Sequence, residues 1–597
     1  MNLYSDDKDR VDQLLKFSDL KNLALPFEET LGEKGTYKNA EEALEFYSSV
    51  LEELGKVCAN EVQPTAESID RQGAKLASGD VVLPEALEAH LKKFTEMGLF
   101  AGQVQKKYGG LNLPRAIQIT AMEILGHACP NTGLTVAAFS MASFLQKFGT
   151  EEQKERYLPG IMENKVRTSM ALTESGAGSD LGKLRTSAKP GSDGKWLING
   201  TKQFITNGDS EISFVLARTN PAETGLKGLS VLIAPRHVNE KENFRVAKIE
   251  DKVCLHGSPT CELLFENSEA ELLGPEGEGF KVMAELMNEA RLAMSALATG
   301  IAARALWEAK QYAATRATMG KPISQHPMVA DMLYEMELEI LGMRAMNLEA
   351  AIACDWRDIY KARGDEKNFK RWTKRYRRLT PLCKYLTAEK TIEITRKAVQ
   401  IFGGYGVCRE YPVERLWRES IIFPIYEGTS QIQSLMVLKD TLKDVAMQAP
   451  GFLTSLAGAW AESKVALDPV KGRLLAARNQ LNQGIRRLLL NIIKVKFKSD
   501  IDALRQAKIQ QFLREFSLQL LTEKSDLTYP FLYAERLTRI TADYYALKCL
   551  ADHRADGSRD EKIKEYGDYV LLRMNYENEV MSERASATLQ YMQSLAQ

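Results

Sequence analysis

The amino-acid sequence predicts a mainly α protein with a small central β domain. Apolar residues recur at spacings of three and four near both ends, as in 41–62 and 280–317, which indicates amphipathic helices. Between about residues 169 and 276 short β-branched or aromatic runs alternate with Gly, Asn, Asp and Pro, which is typical of strands joined by turns. Because helices and strands are segregated along the chain, the order argues against a doubly wound parallel sheet.

Length and composition narrow the class of protein. The 597 residues are 44% hydrophobic and 26% charged, which indicates a water-soluble globular chain of roughly three to four packed units. Its 79 basic and 79 acidic side chains balance, so we expect no nucleic-acid partner. The start of the chain has no signal-peptide pattern, no apolar run is long enough to span a membrane, and the eight cysteines form no CxxC pair. We therefore expect a cytoplasmic protein with reduced thiols.

Metal and P-loop chemistry are not expected. The six histidines lie far apart without an HExxH or Cys/His cluster, so no metal site is predicted. No GxxxxGK[ST] stretch precedes a helix, which argues against P-loop phosphoryl transfer.

The predicted elements follow one another in five regions. The proposed divisions are an N-terminal extension (1–39), a helical domain (40–168), a middle β domain (169–276), a second helical domain (277–445) and a helical C-terminal extension (446–597).

Individual motifs support these regions. In the middle region WLINGTKQFIT, ISFVLART and LSVLIAPR predict strands. The Gly-rich turn at 274–279 has its glycines in the wrong spacing for a dinucleotide fingerprint and predicts a helix start instead. Two further helices are predicted over 326–353 and 382–402, separated by a polar, basic insert at 365–378. The breaker pair Pro450-Gly451 precedes the last helical region.

One candidate site is the stretch TESGAGSD, residues 173–180. Hydroxyls at Thr173, Ser175 and Ser179 surround Gly176 and Gly178. Glycine permits a close backbone approach, so such a loop can present N–H groups to a phosphate or an anionic ring edge. Taken alone, it fits an ordinary tight turn at least as well.

A second candidate is the stretch PIYEGTSQIQ, residues 424–433. Ser430 and Gln433 match an S-x-x-Q capping box, which predicts a helix that begins there with Glu427 just outside its N-terminus. The helix dipole stabilises this carboxylate as an anion, and an entering apolar substrate would desolvate it and raise its pKa, as a waiting base requires. The alternative is that Glu427 only complements the dipole. The Gly-rich stretch QIFGGYG, residues 400–406, reads by itself as a helix C-cap.

Taken together, these stretches resemble the acyl-CoA dehydrogenase family. TESGAGSD, NGTKQFITNG, RATMGKPISQHP, QIFGGYG and EYPVERLWRESIIFPIYEGTSQIQ are similar to its motifs and occur in its order, across about residues 40–445. The resemblance implies an N-terminal helical domain, a small β-barrel-like domain and a C-terminal four-helix bundle. It also implies α,β-dehydrogenation of an acyl-CoA thioester with FAD, with electrons passing to an electron-transferring flavoprotein.

The resemblance assigns roles to residues. Glu427 is implied as the base that removes the α-proton while the β-hydrogen leaves as hydride. The implied cofactor contacts are Met170, Leu172, Thr173, Gly178, Ser179, Phe204, Thr206, Arg316, Thr318, His326, Gln400, Gly403, Gly404, Thr429 and Gln431. The implied substrate contacts are Ser179, Asn288, Arg291 and Gly428.

The spacing of two arginines bears on assembly. Arg291 and Arg316 are 25 positions apart on one predicted helix and therefore about 37 Å apart. In the family, residues matching Arg316 and Thr318 reach the FAD of a neighbouring subunit, which implies a homo-oligomer. The long C-terminal extension favours a dimer, because in such members it covers the surface that tetramers use.

Departures from the family pattern predict local differences. Ser175 replaces a proline and predicts a looser loop, while Met319 and Pro327 stand where an aromatic residue and a glutamine are common. Residues 471–499 carry eight basic residues and no acidic one. This stretch could contact an anionic membrane or a CoA phosphate, although a helix packed on its own bundle is the favoured interpretation.

The sequence is compatible with two other functions. An acyl-CoA oxidase would share fold, base and flavin but use oxygen, and no residue separates the two. A non-catalytic helical scaffold is the alternative from another class. Among substrates we favour medium to long straight-chain acyl groups.

Overall fold

The computed structural model describes residues 1–137, 141–192, 194–447, 462, 466–496, 528–583 and 585–595. The first part of the chain is helical apart from a small hairpin. Its elements are α1 (Lys8–Leu15), α2 (Leu20–Thr30), α3 (Ala40–Val57), α4 (Ala66–Gln72), β1 (Lys75–Ala77), β2 (Asp80–Val82), α5 (Glu85–Glu96), α6 (Arg115–Ala128), α7 (Pro130–Val136), α8 (Ala142–Phe148) and α9 (Glu151–Met162). Helix α9 begins with a reciprocal capping box between Thr150 and Gln153.

The middle of the chain forms the predicted small β unit. Its strands are β3 (Thr168–Ala171), β4 (Ser187–Pro190), β5 (Trp196–Thr206), β6 (Ile212–Arg218), β7 (Leu229–Pro235), β8 (His237–Val238), β9 (Lys241–Glu242), β10 (Phe244–Ile249) and β11 (Thr260–Leu273). Strand β11 pairs with both β5 and β7, and β5, β4, β6 and β7 continue the hydrogen bonding, so that the sheet closes on itself. This confirms the barrel-like architecture. Ile198, Val215 and Leu232 are among the buried residues that fill it.

The next part of the chain is a helical bundle. Its elements are α10 (Gly279–Thr315), β12 (Ala317–Thr318), β13 (Lys321–Pro322), α11 (Pro327–Ala362), α12 (Glu366–Phe402), α13 (Pro412–Ser420) and α14 (Ser430–Met447). Helices α10, α11, α12 and α14 pack side by side. Every residue from Leu338 to Asp355 is buried, so α11 is a central helix rather than a surface one.

The prediction of an insert at 365–378 was wrong, because this segment is the first part of α12. Asp365 caps the helix by accepting a hydrogen bond from the Asn368 N–H at 3.0 Å. Trp372 then stacks on Trp356 of α11, with ring centroids 6.0 Å apart. The charged segment is helical because one of its faces packs against the bundle.

The chain continues in a further set of helices that cover the bundle. They are α15 (Pro469–Lys496), α16 (Thr528–Leu532), α17 (Ala534–Asp552), α18 (Asp560–Glu583) and α19 (Ala585–Leu595). Helix α17 packs on α11, α12 and α14, and α18 approaches α11 at Gly342, where an added Cβ would lie 2.3 Å from the Tyr566 hydroxyl. The buried Glu339 and Glu349 of α11 bind Tyr569 (2.9 Å) and His553 (2.8 Å) of this cover.

The basic stretch lies mainly in α15, which packs on α17 and α18. Arg473 pairs with Asp568 at 2.9 Å, as the packed-helix interpretation expects. Residues 497–499 and the Pro450-Gly451 pair lie outside the described residues. Among the described helices, none has the length and apolar character needed to cross a bilayer.

Candidate active site

Glu427 lies in a strained turn directly before α14. It has a positive φ of 56° and is followed by Gly428 at 85°, so two consecutive residues occupy the left-handed region. This is costly for a glutamate, and such outliers cluster at functional sites. The Glu427 carbonyl accepts hydrogen bonds from Arg291 Nε and Gln433 Nε2, both at 3.1 Å. Its backbone N–H has no acceptor within the part of the chain that the structure describes.

The predicted helix start at Ser430 is confirmed, but the predicted capping box is wrong. Thr429 Oγ1 accepts the N–H of Ile432 at 3.3 Å, and Ser430 instead donates to Glu389 at 2.5 Å. The Gln433 side chain donates to the carbonyls of Glu427 and Gly428. The glutamine therefore holds the turn in place of capping the helix.

Two cations oppose the effect of burial on Glu427. Burial raises the pKa of its carboxyl above the ordinary 4.5, while the charges of Arg291 and Lys384 act to lower it. No ion pair or hydrogen bond to the carboxylate itself is found among the described residues. The group is thus a partly buried carboxylate that is held by its backbone and has no partner at its oxygens among the described residues.

The two candidate substrate residues of α10 lie beside this turn. Arg291 is buried, and its Nη1 donates to Asn288 Oδ1 at 3.0 Å. An added Cβ at Gly428 would lie 2.7 Å from Gln433 Nε2, so only glycine fits there without a shift. The structure brings Glu427, Gly428, Asn288 and Arg291 together, as the sequence predicted.

The candidate loop after β3 is attached to strand β5. The Thr173 carbonyl accepts the Gln203 N–H at 2.9 Å, and Lys202 Nζ donates to the Leu172 carbonyl at 2.8 Å. Met170 lies on β3 itself, and Gly178 and Ser179 are exposed at the far end of the loop.

Glu174 fixes the start of this loop. Its carboxylate accepts the N–H groups of Arg185 (2.8 Å) and Thr186 (3.0 Å) and lies 3.0 Å from Lys202 Nζ. Burial alone would raise the pKa of Glu174, but Lys202 and these donors lower it below its ordinary value. The loop is therefore anchored even though Ser175 replaces the family's proline.

Phe204 and Thr206 follow the loop attachment on β5. Phe204 has a positive φ of 61°, and its side chain is 56% exposed. Thr206 is partly exposed, and the next residue, Asn207, has a buried amide oxygen without a hydrogen-bond partner in the described structure. An exposed ring and, three residues further along the chain, an unsatisfied polar group are features that suit a planar, hydrogen-bonding ligand.

The remaining candidate cofactor residues form a separate group at the other end of α10. Arg316 ends that helix, and Thr318 of β12 shares a 3.0 Å hydrogen bond with His326. Gln400, Gly403 and Gly404 are exposed at the end of α12, and an added Cβ at either glycine would meet no atom within 4 Å. The two ends are neighbours because Tyr312 stacks on Phe402 with centroids 4.2 Å apart.

The distal group and the Glu427 turn are far apart within one chain. Helix α10 is uninterrupted from Gly279 to Thr315, which separates Arg291 from Arg316 by about 37 Å. Thr429 directly precedes α14 and Gln431 lies in its first turn, both near Glu427 in the chain. Gln431 Nε2 donates to Glu535 of α17 at 3.5 Å.

Comparison with known proteins gives the family. Models of the acyl-CoA dehydrogenase N-terminal, middle and C-terminal domains match residues 46–165, 169–268 and 277–442. The 3-methylmercaptopropionyl-CoA dehydrogenase of Ruegeria pomeroyi is 32% identical over 487 residues, which cover 75% of this chain and 81% of that protein. The chain belongs to the acyl-CoA dehydrogenase family.

Solved structures of other proteins are also similar to this chain. Butyryl-CoA dehydrogenase from Megasphaera elsdenii shares 29% identity and a TM-score of 0.58, over 66% of this chain and 97% of its own. An acyl-CoA dehydrogenase complexed with FAD from Bacillus anthracis has a TM-score of 0.71 and 21% identity, covering 96% of this chain and 92% of that chain. The second likeness shows that the shared fold includes the helices after α14.

Acyl-CoA dehydrogenases are FAD-dependent oxidoreductases that act on the CH–CH bond of an acyl-CoA, and this chain is one of them. The residues present fit such a cofactor. The exposed Phe204 ring and the unsatisfied Asn207 oxygen suit a flavin ring, and the open glycines Gly403 and Gly404 leave room for phosphates.

Residue-by-residue reasoning missed two buried lysines of this acyl-CoA dehydrogenase, Lys202 and Lys384. Lys384 stands among apolar residues in the LCKYL stretch of α12, and because a lysine inside an apolar run is rarely buried without a partner, that signal could have marked it. Lys202 lies between Thr201 and Gln203 of β5, where the local sequence carries no such signal.

Proposed function

We propose that this protein introduces an α,β double bond into an acyl-CoA thioester, with Glu427 as the base that removes the α-proton. The observation that carries the proposal is a glutamate whose backbone carbonyl is clamped while its carboxylate has no partner in the described part of the chain. Arg291 and Gln433 hold the Glu427 carbonyl at 3.1 Å each, so the orientation of the residue does not depend on contacts of the carboxylate.

The reaction needs an ionised base and a polarised thioester. The Glu427 carboxylate takes the α-proton, and the β-hydrogen leaves with its electron pair as hydride. Bound FAD supplies the acceptor for this hydride. The backbone N–H of Glu427, which lacks a protein acceptor in the described chain, can donate to the thioester carbonyl oxygen where negative charge develops. A raised pKa makes Glu427 a stronger base once an acyl chain excludes water.

Residues from two subunits are proposed to hold the cofactor. The loop and strand residues Met170, Leu172, Thr173, Gly178, Ser179, Phe204 and Thr206 would contact it from one subunit, together with Thr429 and Gln431. The distal group of Arg316, Thr318, His326, Gln400, Gly403 and Gly404 would serve the neighbouring subunit. The length of α10 supports this division, and Met319 on the same hairpin is 94% exposed, as expected of a residue that meets a partner.

The wider assignment rests on the resemblance. We propose a cytoplasmic homodimer that acts in fatty-acid β-oxidation on medium to long straight-chain acyl-CoAs and passes electrons to an electron-transferring flavoprotein. The helices after α14 cover the bundle, which supports a dimer over a tetramer. Ser179, Asn288, Arg291 and Gly428 would contact the substrate. Peripheral membrane contact is the weaker proposal, because α15 packs within the protein.

The experiment that tests this function is ferrocenium-linked turnover on a series of acyl-CoAs from short to long chains, with 3-methylmercaptopropionyl-CoA included. Glu427→Gln is the matched variant. We expect it to keep the yellow flavin colour and to lose turnover by about 10⁴-fold or more, because the removed group acts in the chemical step. Near-normal turnover of the variant would place the base elsewhere.

Two controls separate the alternatives. Anaerobic dye reduction without peroxide release in air identifies a dehydrogenase, whereas rapid peroxide release identifies an oxidase. A colourless protein without turnover on any acyl-CoA would support the scaffold alternative and contradict the proposal.

A further inference from the structure

Lys384 is a buried lysine that pairs with no carboxylate of the described residues. Only 1% of its side chain is exposed, and it makes no ion pair within the described ranges. Its Nζ donates to the Phe423 carbonyl and lies 5.4 Å from the centroid of the Tyr426 ring. The side chain therefore reaches from α12 into the turn that leads to Glu427. Burying a charge in this way is costly unless the charge has a role.

Lys390, six residues further along α12, shows what an ordinary buried lysine does in this protein. Its Nζ lies 3.1 Å from Glu339 and 2.7 Å from Glu393. A lysine that stabilised the fold by pairing would have the same arrangement. Lys384 instead uses its hydrogen bond on a backbone carbonyl, three residues before Tyr426 and four before Glu427.

We propose that Lys384 is a positioning residue for Glu427, which anchors the turn through Phe423 and places a buried positive charge near the carboxylate. The inference rests on the proposed function, because it assigns the charge a role only if Glu427 is the base. Arg291 holds the carbonyl of Glu427 from α10, while Lys384 of α12 holds the carbonyl of Phe423, on the chain before it.

The charged and titratable groups around Lys384 come from each element that packs there. They are Arg291 from α10, Glu389 from α12 itself, Tyr426 and Glu427 from the turn, and Cys254 beside the Tyr426 ring. Burial lowers the pKa of Lys384 to about 8, against the raising influence of Glu427. The ammonium is thus present at neutral pH and favours the ionised form of Glu427.

The test compares neutral and charged variants of Lys384 in the full-length holoenzyme. In Lys384→Met, and in Lys384→Gln, which keeps a hydrogen-bond donor, we expect the acid limb of kcat/KM to move to higher pH by about one unit. On the acid side of the limb kcat at a given pH should fall by up to about tenfold, and above the limb it should recover to within about threefold. KM and the flavin spectrum should not change. Lys384→Arg keeps the charge and should leave the limb in place.

Lys390→Met is the matched control, because it removes a buried lysine from the same helix without touching the turn. We expect it to lower stability in urea and to leave the acid limb where it is. If Lys384→Gln or Lys384→Met folds and binds flavin but its acid limb of kcat/KM stays where it is in the wild type, the proposal is wrong. This outcome differs from failure of the proposed function, in which the wild-type enzyme shows no turnover that depends on Glu427.

Discussion

Two glutamates that lie near a buried lysine in this protein have pKa values shifted in opposite directions. At the barrel, Lys202 contacts Glu174 at 3.0 Å, and the pKa of the glutamate lies below its ordinary value. At the bundle, Lys384 influences Glu427 without an ion pair, and the pKa of that glutamate lies above its ordinary value. Burial lowers the pKa of both lysines to about 8. The residue types are alike and both lysines are buried, but Glu427 loses more of its solvation than Glu174 and has no ion pair among the described residues to offset that loss.

What differs is the part of the glutamate that the protein holds. Glu174 is held by its carboxylate, which accepts two backbone N–H groups as well as the lysine. Glu427 is held at its backbone carbonyl by Arg291 and Gln433, and its carboxylate has no partner among the residues that the structure describes. A carboxylate that is fully satisfied anchors a loop, whereas one that is positioned but unsatisfied can accept a proton from a substrate.

The largest effect should come from shortening each glutamate by one methylene. Glu427→Asp keeps the charge but withdraws the carboxylate by about 1 Å or more, so we expect kcat to fall about 10²-fold with little change in stability. Glu174→Asp loses contacts that fix the loop, so we expect a loss of about 1–3 kcal/mol in the free energy of unfolding. Turnover per bound flavin and urea unfolding measure the two effects. An equal loss of kcat per bound flavin in both variants would contradict the comparison.

The next largest effect concerns acidification, in which kcat/KM should fall at a higher pH than the stability of the fold. The raised pKa of Glu427 means that kcat/KM falls about tenfold per pH unit from above pH 4.5, because the base becomes protonated. The lowered pKa of Glu174 means that its pairing still stabilises the fold at that pH and is lost only as the pH falls further. Enzyme held near pH 4.5 and returned to pH 8 should regain its activity. Simultaneous, irreversible loss of activity and circular dichroism would contradict this order.

The smallest effect should follow Ser175→Pro, which restores the family's residue. The loop is already fixed by Glu174, and the backbone pairs Glu174 with Ala177 across the exposed serine. We therefore expect flavin release after dilution, followed by fluorescence, to change less than about threefold. A release more than tenfold slower would show that Glu174 does not replace the rigidity of proline.

The sequence predicted correctly those features that depend only on neighbouring residues, such as helix starts. The Gly-rich turn at 274–279 predicts a helix that the structure begins at Gly279, and the predicted helix start at Ser430 is also correct. The segment 365–378 failed because its helicity depends on a face that packs against α11, which charge content does not show. A segment's propensity is a weak guide when tertiary contacts decide.

The same limit of prediction from local patterns applies to the candidate site. Glu427 and the loop after β3 were found from motifs, but the clamp on Glu427 was not, because Arg291 lies 136 positions away in the chain. The role of Gln433 was misread as capping, since its spacing from Ser430 suits both uses. Lys384 was missed because sequence does not show which way a side chain of a long helix points.

The burial of α11 on all sides changes the status of the helices that follow α14. From Leu338 to Asp355 no face of α11 meets water, and Gly342 leaves just enough room for Tyr566. The helices after α14 therefore form part of the hydrophobic core and are not a separately folded addition to it. Loss of these helices would expose Leu, Met and Ala side chains of α11 to water. A shorter homologue would therefore need polar residues at those positions as well as the truncation.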